Sequence, residues 1–486
     1  MANLRRSLVI NFFSSSSAAL VQFLVSVLLA RMLSPSEIGV FSMTVVFVTI
    51  AHMFRDFGVA TYIQREPELT PEKIRSALGI LYATSWSLAV GLFALSAPLG
   101  DFFNEPGIVP VMRVLALGFI VIPFGSLTHS MLLRELAADK QAVVTAAGTI
   151  AYCASCLILA ALDFGTMSLA WANLINICTC ALAYIPFRPK GMPWIPSRRG
   201  WGRVINFGVG QLLTNCIDAA NGSIAELVLG KLGSARHVGL FSRANSTVSI
   251  FSYLAGTTVT YGALTYLSQA HHRGESLVPT LRRAVTLLTG IGWPALALTA
   301  VFGRDLVLAL YGPTWLDSVP AILPLCIAAC FYLLFQYTPS ALASIGRPYL
   351  GAIPQSATLV MRITLGVLLF DGTLVSFGWA VCLATMCVVP VMLYLQYHYL
   401  QFKPSTLFAS VMPSLAVAVC CTVIGEALHL VLPESLPAMA RLLLAFPFVL
   451  GTWYGALRLI SHPLVNELHL LAGSARLRLS RFGRAS

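Results

Sequence analysis

The sequence predicts an all-α fold: a polytopic membrane protein of about fourteen transmembrane helices, built as two parallel-repeat six-helix bundles plus two C-terminal helices. Three observations predict it. Hydrophobic residues make up 57% of the 486-residue chain and charged residues only 10%, against roughly 25% charged residues in soluble domains. The apolar residues fall in a nearly unbroken series of segments, each about the 20 residues that cross about 30 Å of hydrocarbon as a helix. The series also repeats itself. Arg31-Met-Leu-Ser-Pro-Ser-Glu-Ile-Gly-Val-Phe-Ser42 returns, 200 residues on, as Lys231-Leu-Gly-Ser-Ala-Arg-His-Val-Gly-Leu-Phe-Ser242. Ser34/Ser234, Gly39/Gly239, Phe41/Phe241 and Ser42/Ser242 are identical, and Val9-Ile-Asn-Phe12 returns as Val204-Ile-Asn-Phe207.

The spans follow in order. Residues 8–33 form the first, after Arg5 and Arg6. This stretch is longer than a signal-peptide apolar region of about 7–15 residues and no small-residue cleavage site follows it, so it reads as a retained helix. Spans two to six cover 38–62, 75–99, 110–132, 141–162 and 166–187, with a short turn near Asp163. The polar segment 188–203, with Pro189, Pro193, Pro196 and Gly200, reads as a cytoplasmic linker. Spans seven to twelve cover 204–230, 238–267, 284–303, 320–343, 349–370 and 373–397, with a short turn near Asp371. Spans 406–430 and 438–460 lie outside the repeat. The organisation expected is an N-terminal lobe over 1–187, the linker, a C-terminal lobe over 204–400, two further helices within 401–460 and a basic cytoplasmic tail over 461–486.

Basic residues orient the series. With the N-terminus inside, twenty-two of the 31 lysines and arginines fall in cytoplasmic segments and six opposite. That bias is the positive-inside pattern and expects both termini in the cytoplasm. It also explains the net charge of +12; the competing reading, a nucleic-acid surface, lacks a basic patch on a soluble domain. The repeated motif follows span one and span seven. Six spans apart places both copies on one membrane face, so the halves are related by an axis along the membrane normal. Two related halves lining a shared path is a transporter architecture. Spans one and seven are expected to face each other across a central cleft.

The eleven cysteines lie inside apolar spans. Cys153-Ala-Ser-Cys156 has CxxC spacing, but no histidine or second pair completes a metal site, and packing is the expected role. No cofactor is expected, and no nucleotide-binding fingerprint is present.

Several motifs together resemble a known family. Ala30-Arg31-Met-Leu-Ser-Pro35 to Gly39-Val-Phe41 resembles the "ARxLxPxxxGxF/Y" signature after the first helix of bacterial polysaccharide transporters. Asp56-Phe-Gly58, Gly239-Leu-Phe-Ser-Arg243-Ala, Leu310-Tyr-Gly-Pro-Thr-Trp315 and Ala343-Ser-Ile-Gly-Arg-Pro348 resemble further motifs of that family, in order. The family is the Wzx-like oligosaccharide flippase and polysaccharide transporter group of the MOP superfamily, which also holds MATE exporters and the lipid II flippase. The resemblance implies two six-helix bundles around a central cavity and alternating access in a bacterial inner membrane. It implies an undecaprenyl-diphosphate-linked oligosaccharide as cargo, with a polysaccharide polymerase and a chain-length regulator as partners in the same membrane. One segment departs: the family's "DRLLIG" is here Ala225-Glu226-Leu-Val-Leu-Gly230, and its acid has no direct match. A MATE-like cation antiporter and a membrane glycosyltransferase or polymerase are the alternatives. The first expects an acidic cavity; the second expects an acidic pair in an external loop.

Charges within spans mark the candidate site, since an arginine near a helix centre costs about 2.5–3.5 kcal/mol on insertion scales. Arg55, Arg243 and Arg362 are the basic residues expected inside spans, and are the candidates to bind the diphosphate, for which a planar guanidinium is suited. Structural ion pairing is the competing role. Asp56 is expected to pair with an arginine or to couple transport to an ion. Asp218 and Glu226 are candidates for cation coupling if both face the cavity. Arg31, Gly39, Lys231 and Gly239 are read as structural motif residues that fix the two helix-turn-helix units. Ser14 to Ser17 offer close helix packing or a hydrated lining. Trp86, Trp171 and Trp293 suit anchoring or packing, with sugar stacking the alternative.

Overall fold

A computed structural model describes residues 2–56, 59, 62–63, 66, 68–193, 196–197, 201–202, 220–250 and 273–470. Among these the ordered elements are helical. Among the described residues eleven helices are long and apolar enough to cross a membrane, or twelve if one bent pair is counted as a single span. These twelve correspond to twelve of the fourteen expected spans. The other two, 204–230 and 238–267, fall partly outside the described residues, whose helical parts are 220–232 and 235–250. The chain divides into two compact units, Met1–Ser242 and Arg243–Ser486.

In the first unit, α1 is Ala2–Met32, α2 Pro35–Asp56, α3 Pro71–Phe103, α4 Ile108–Val121, α5 Pro123–Arg134, α6 Ala138–Ala161 and α7 Thr166–Tyr184. Residues 220–232 and 235–242 complete it as α8 and the start of α9. α1 packs on α6, α6 on α7, and α4 sits among α2, α3 and α7. Local chemistry sets the ends. Thr70 caps α3, its hydroxyl accepting from Lys73 N, with Pro71 in the first turn, and Asn104 closes α3 in a left-handed conformation at φ 53°. Pro123 has no N–H for the preceding turn, and α4 and α5 meet there at 56°. Trp86 Nε1 donates to the Ile120 carbonyl at 3.4 Å beside that break. The expected turn near Asp163 is a left-handed pair, Asp163 at φ 59° and Gly165 at φ 54°.

The linker segment is docked where it is described. Ser197 N donates to the Arg75 carbonyl, Arg188 donates to Pro193 O, and Met192 and Trp201 join an apolar cluster with Ile63, Leu78, Leu127 and Met131. These contacts close one end of α3 and α5.

In the second unit, α9 continues over 243–250. α10 is Val278–Val301, α11 Gly303–Leu310, α12 Ile322–Phe335, α13 Thr338–Ser344, α14 Ala352–Leu369, α15 Leu374–Leu400, α16 Pro404–Val431 and α17 Ala438–Leu459. A 3-10 stretch, Pro313–Ala321, joins α11 to α12. α10 and α16 lie along each other, α15 packs on α12 and α14, and α17 on α16. The turn near Asp371 is confirmed: Thr373 caps α15, and Asp371 accepts from Thr373 and Ser376.

The outward faces are apolar. Leu368, Leu443 and Leu459 are 71%, 67% and 88% exposed. A soluble protein rarely leaves such faces bare, whereas lipid covers them at no cost. Inside, helices are joined by small polar groups: Thr289 donates to Ser414 at 2.9 Å and Gln396 to Thr338 at 2.9 Å.

Candidate functional site

The repeated motif is built first by helix capping. Ser34 precedes α2, with Pro35 in its first turn and Glu37 three residues on. Ser34 N and Ser34 Oγ both donate to Glu37 Oε2 at 2.7 Å, and Glu37 N donates back to Ser34 Oγ. This reciprocal box satisfies the first free N–H groups of the helix. In the second copy Ser234 Oγ bonds His237 Nδ1 at 2.8 Å. The glycines have a different task. A β-carbon on Gly39 would fall well under 3.0 Å from the carbonyl oxygen of Ala235 and 3.0 Å from Gly239 N. A β-carbon on Gly239 would fall likewise against the carbonyl of Pro35, 2.8 Å from its carbon and 3.1 Å from Gly39 N. Pro35 and Ala235 are themselves repeat equivalents. The two copies therefore cross backbone to backbone, symmetrically, within the first unit.

Lys231, at the end of α8, donates to the Phe102 carbonyl at 2.6 Å and lies 4.1 Å from the Phe102 ring. A cation there complements the C-terminal dipole of α3. Arg31 is exposed in the last turn of α1, the same kind of position.

Arg55 and His52 share one face of α2. Arg55 Nη1 lies 2.9 Å from His52 Nδ1, and the Arg55 carbonyl is reached by Thr84 Oγ1 at 3.2 Å. The His52 ring stacks on Phe119 of α4, centroids 4.6 Å apart at 26°. Arg55 is half-buried and Phe119 fully buried. Asp56 ends α2, and its side chain lies outside the described residues, as does the whole of Asp218. Glu226 is half-buried on α8, one turn before Gly230, whose backbone packs on Met43 of α2.

In the second unit Arg243 sits over two buried rings. Its guanidinium carbon is 5.7 Å from the Tyr311 centroid and 5.9 Å from that of Trp315, and the two rings meet edge to face at 6.4 Å. The GLFSRA and LYGPTW motifs are thus one cluster, joined by a cation–π contact. Arg362 is half-buried on α14, with Tyr332 of α12 as an electrostatic neighbour. Among the described residues, the structure brings Arg55 together with His52 and Arg243 with its aromatic ledge. Arg55 and Glu226 belong to one unit, Arg243 and Arg362 to the other.

Two sequence readings need adjustment. Arg441, one of the six basic residues counted on the side opposite the cytoplasm, lies in the first turn of α17 and is buried. It pairs with fully buried Asp305 of α11, whose Oδ2 lies 3.7 Å from His429 Nδ1. Arg113, also counted on that side although span 110–132 contains it, lies inside α4, its Nε donating to Ser96. So Arg55, Arg243 and Arg362 are not the only basic residues within helices of the bundle. Asp305 carried a signal: an acid in an amphipathic eight-residue helix just after a span. Trp293 packs as expected, donating to Cys330 O at 3.1 Å.

Residues 28–320 match the family described as polysaccharide biosynthesis protein. The chain belongs to that family. It is 22% identical over 303 residues to the lipopolysaccharide biosynthesis protein WzxC of Escherichia coli (strain K12), covering 62% of this chain and 61% of WzxC. It is 20% identical over 417 residues to the teichuronic acid biosynthesis protein TuaB of Bacillus subtilis (strain 168), covering 85% and 86%. It is 22% identical over 428 residues to the succinoglycan biosynthesis transport protein ExoT of Rhizobium meliloti (strain 1021), covering 83% and 82%. The fold resembles the lipid II flippase MurJ in an inward closed conformation, with a TM-score of 0.74, 12% identity, and coverage of 93% of this chain and 99% of that one. It also resembles an inward-facing MATE transporter of the MOP superfamily, at a TM-score of 0.65, 15% identity, and 81% and 96% coverage.

Proposed function

We propose that this protein moves undecaprenyl-diphosphate-linked oligosaccharide from the cytoplasmic to the periplasmic leaflet of a bacterial inner membrane. The path works by alternating access and serves exopolysaccharide, capsule or lipopolysaccharide O-antigen synthesis. The observation that carries this reading is membership of the polysaccharide biosynthesis family by an all-helical, many-span chain. The reading is transport rather than catalysis, with both termini cytoplasmic and the lobes 1–187 and 204–400 as the repeating units. Partners are a polymerase and a chain-length regulator in the same membrane.

The chemistry of the cargo assigns roles. A sugar head needs a hydrated groove, and its diphosphate needs compensating cations in a low-dielectric region. Arg55, Arg243 and Arg362 supply them, each half-buried within its helix. Arg55 is held by His52, and Arg243 by Tyr311 and Trp315. Asp56, Asp218 and Glu226 remain the groups proposed for ion coupling.

The test is transport by the Arg55→Ala, Arg243→Ala double variant in cells lacking the native protein. Polymer export should fall strongly at unchanged membrane levels, and Arg→Lys at both positions should restore part of it as a point charge. Full export by the double alanine variant would remove the diphosphate role and favour a cargo without one.

A further inference from the structure

The second unit holds a buried carboxylate whose two oxygens are served unequally. Asp305 lies in the first turn of α11 and is fully buried. Its Oδ1 accepts from Arg441 Nη2 on α17, which packs on α11. Its Oδ2 is buried and accepts no hydrogen bond, a state that buried polar atoms seldom keep without a reason. His429 Nδ1 lies 3.7 Å from Oδ2, beyond hydrogen-bond distance. His429 sits in the last turn of α16, with its side chain 35% exposed, so water at this end of the bundle reaches the ring. The Phe302 ring meets the imidazole edge to face at 6.0 Å.

We propose that His429 and Asp305 form a proton-binding latch: a proton taken from water by His429 closes the gap into an Nδ1–H···Oδ2 bond that ties α16 to α11. Neutral histidine carries one N–H, and Nδ1 can face Oδ2 as a bare lone pair. Imidazolium carries an N–H on both nitrogens, so Nδ1 must donate, and the bond is charge-assisted. Both helix ends suit the closed form. An anion complements the N-terminal dipole of α11 and a cation the C-terminal dipole of α16. The other charges at this end are few. Arg441 faces Asp305 from α17 and repels a second cation, but it holds the opposite oxygen. Arg304 on α11, Glu426 on α16 and Glu434 in the turn before α17 are exposed. α10 carries no titratable side chain beyond Arg283. Closing the latch fastens α11 to both α16 and α17.

Hydrogen exchange of the α11 amides, in purified full-length protein in lipid nanodiscs, reads the latch as protection factors corrected for the intrinsic rate at each pH. Histidine gains its charge between about pH 8 and about pH 5. Over that range wild-type protection of α11 should rise about 3- to 10-fold, as expected of a charge-assisted bond to a partly exposed ring. His429→Gln gains no proton and should show no rise, whereas His462→Gln should keep it. The His429 signal in protein made with isotope-labelled histidine, assigned by its loss in His429→Gln, should titrate in the same range. A flat wild-type profile overturns the latch, and so does a rise that persists in His429→Gln. A rise lost in His462→Gln, or a His429 signal that does not titrate over that range, overturns it as well.

Discussion

Replacing Gly39 by alanine tests the crossing of the two motif copies. The new β-carbon would lie well under 3.0 Å from Ala235 O, where ordinary contact is 3.4–4 Å. The obstacle is backbone, so no side-chain rotation relieves it, and the helix starts must part by on the order of an ångström in a close-packed interior. Overpacking of this kind costs about 1–3 kcal/mol, and a backbone obstacle places Gly39→Ala near the upper end, about 3 kcal/mol. Gly239→Ala meets Pro35 in the mirror arrangement and should cost the same. The decisive quantity is the double variant. Once one alanine has pushed the segments apart, the second finds space already made. The double substitution should cost about 3–4 kcal/mol rather than about 6, a coupling of roughly 2–3 kcal/mol. Unfolding free energies in mixed micelles, measured for wild type, both singles and the double, give the cycle. Additive costs, or singles costing under about 0.5 kcal/mol, would refute a shared crossing point.

Three further outcomes are expected. Asp305→Ala strands buried Arg441 and should destabilise by about 3–5 kcal/mol, whereas Asp305→Leu with Arg441→Leu should cost less than either single change; denaturation of the three variants decides it. His462 is buried, its Nδ1 accepts from Leu464 N and its ring meets Ser414 Oγ at 3.1 Å, and burial holds its pKa below the usual histidine value. The unfolded chain then binds the extra proton first, so the stability from His462 is full above pH about 6.5 and is lost as pH falls from there towards the folded pKa; His462→Gln should flatten a melting curve series from pH 8 to 5, and an unchanged slope would remove the role. Reporter fusions at Glu68, Ser197 and Ser474 should read cytoplasmic and those at Asn104 and Ser234 periplasmic, and a reversal at Ser197 would sink the parallel-repeat topology.

The spans were legible because one strong constraint, backbone hydrogen bonding in lipid, fixes both their length and composition. The turns at Asp163 and Asp371 were legible too, since Asp-Phe-Gly and Asp-Gly offer left-handed backbone at little cost. The bend at Pro123 was written in the sequence, but a proline inside a span tells only where a helix can break. The 56° angle depends on what packs around it. Arg441 was misplaced for a similar reason. A basic residue close to a span's end reads as loop until its partner is known, and Asp305 is 136 residues earlier in the chain. The links between Arg55 and Phe119, through His52, and between Arg243 and Trp315 likewise join distant segments, which periodicity within one helix cannot reveal.

The repeat itself separates what the fold needs from what each copy does. Where the two copies cross, the glycines are identical: Gly39 faces the Ala235 carbonyl and Gly239 the Pro35 carbonyl, and any side chain would enter a backbone. Where a helix start needs an oxygen, Ser34 and Ser234 both remain. Elsewhere the copies diverge. Glu37 completes a capping box, while at the equivalent position His237 meets the equivalent serine through Nδ1. The arginines are not repeat equivalents at all: Arg55 follows Gly39 by sixteen residues, Arg243 follows Gly239 by four. One is oriented by an imidazole acceptor on its own helix, the other by the faces of Tyr311 and Trp315. A duplicated scaffold thus holds two arginines in unlike surroundings.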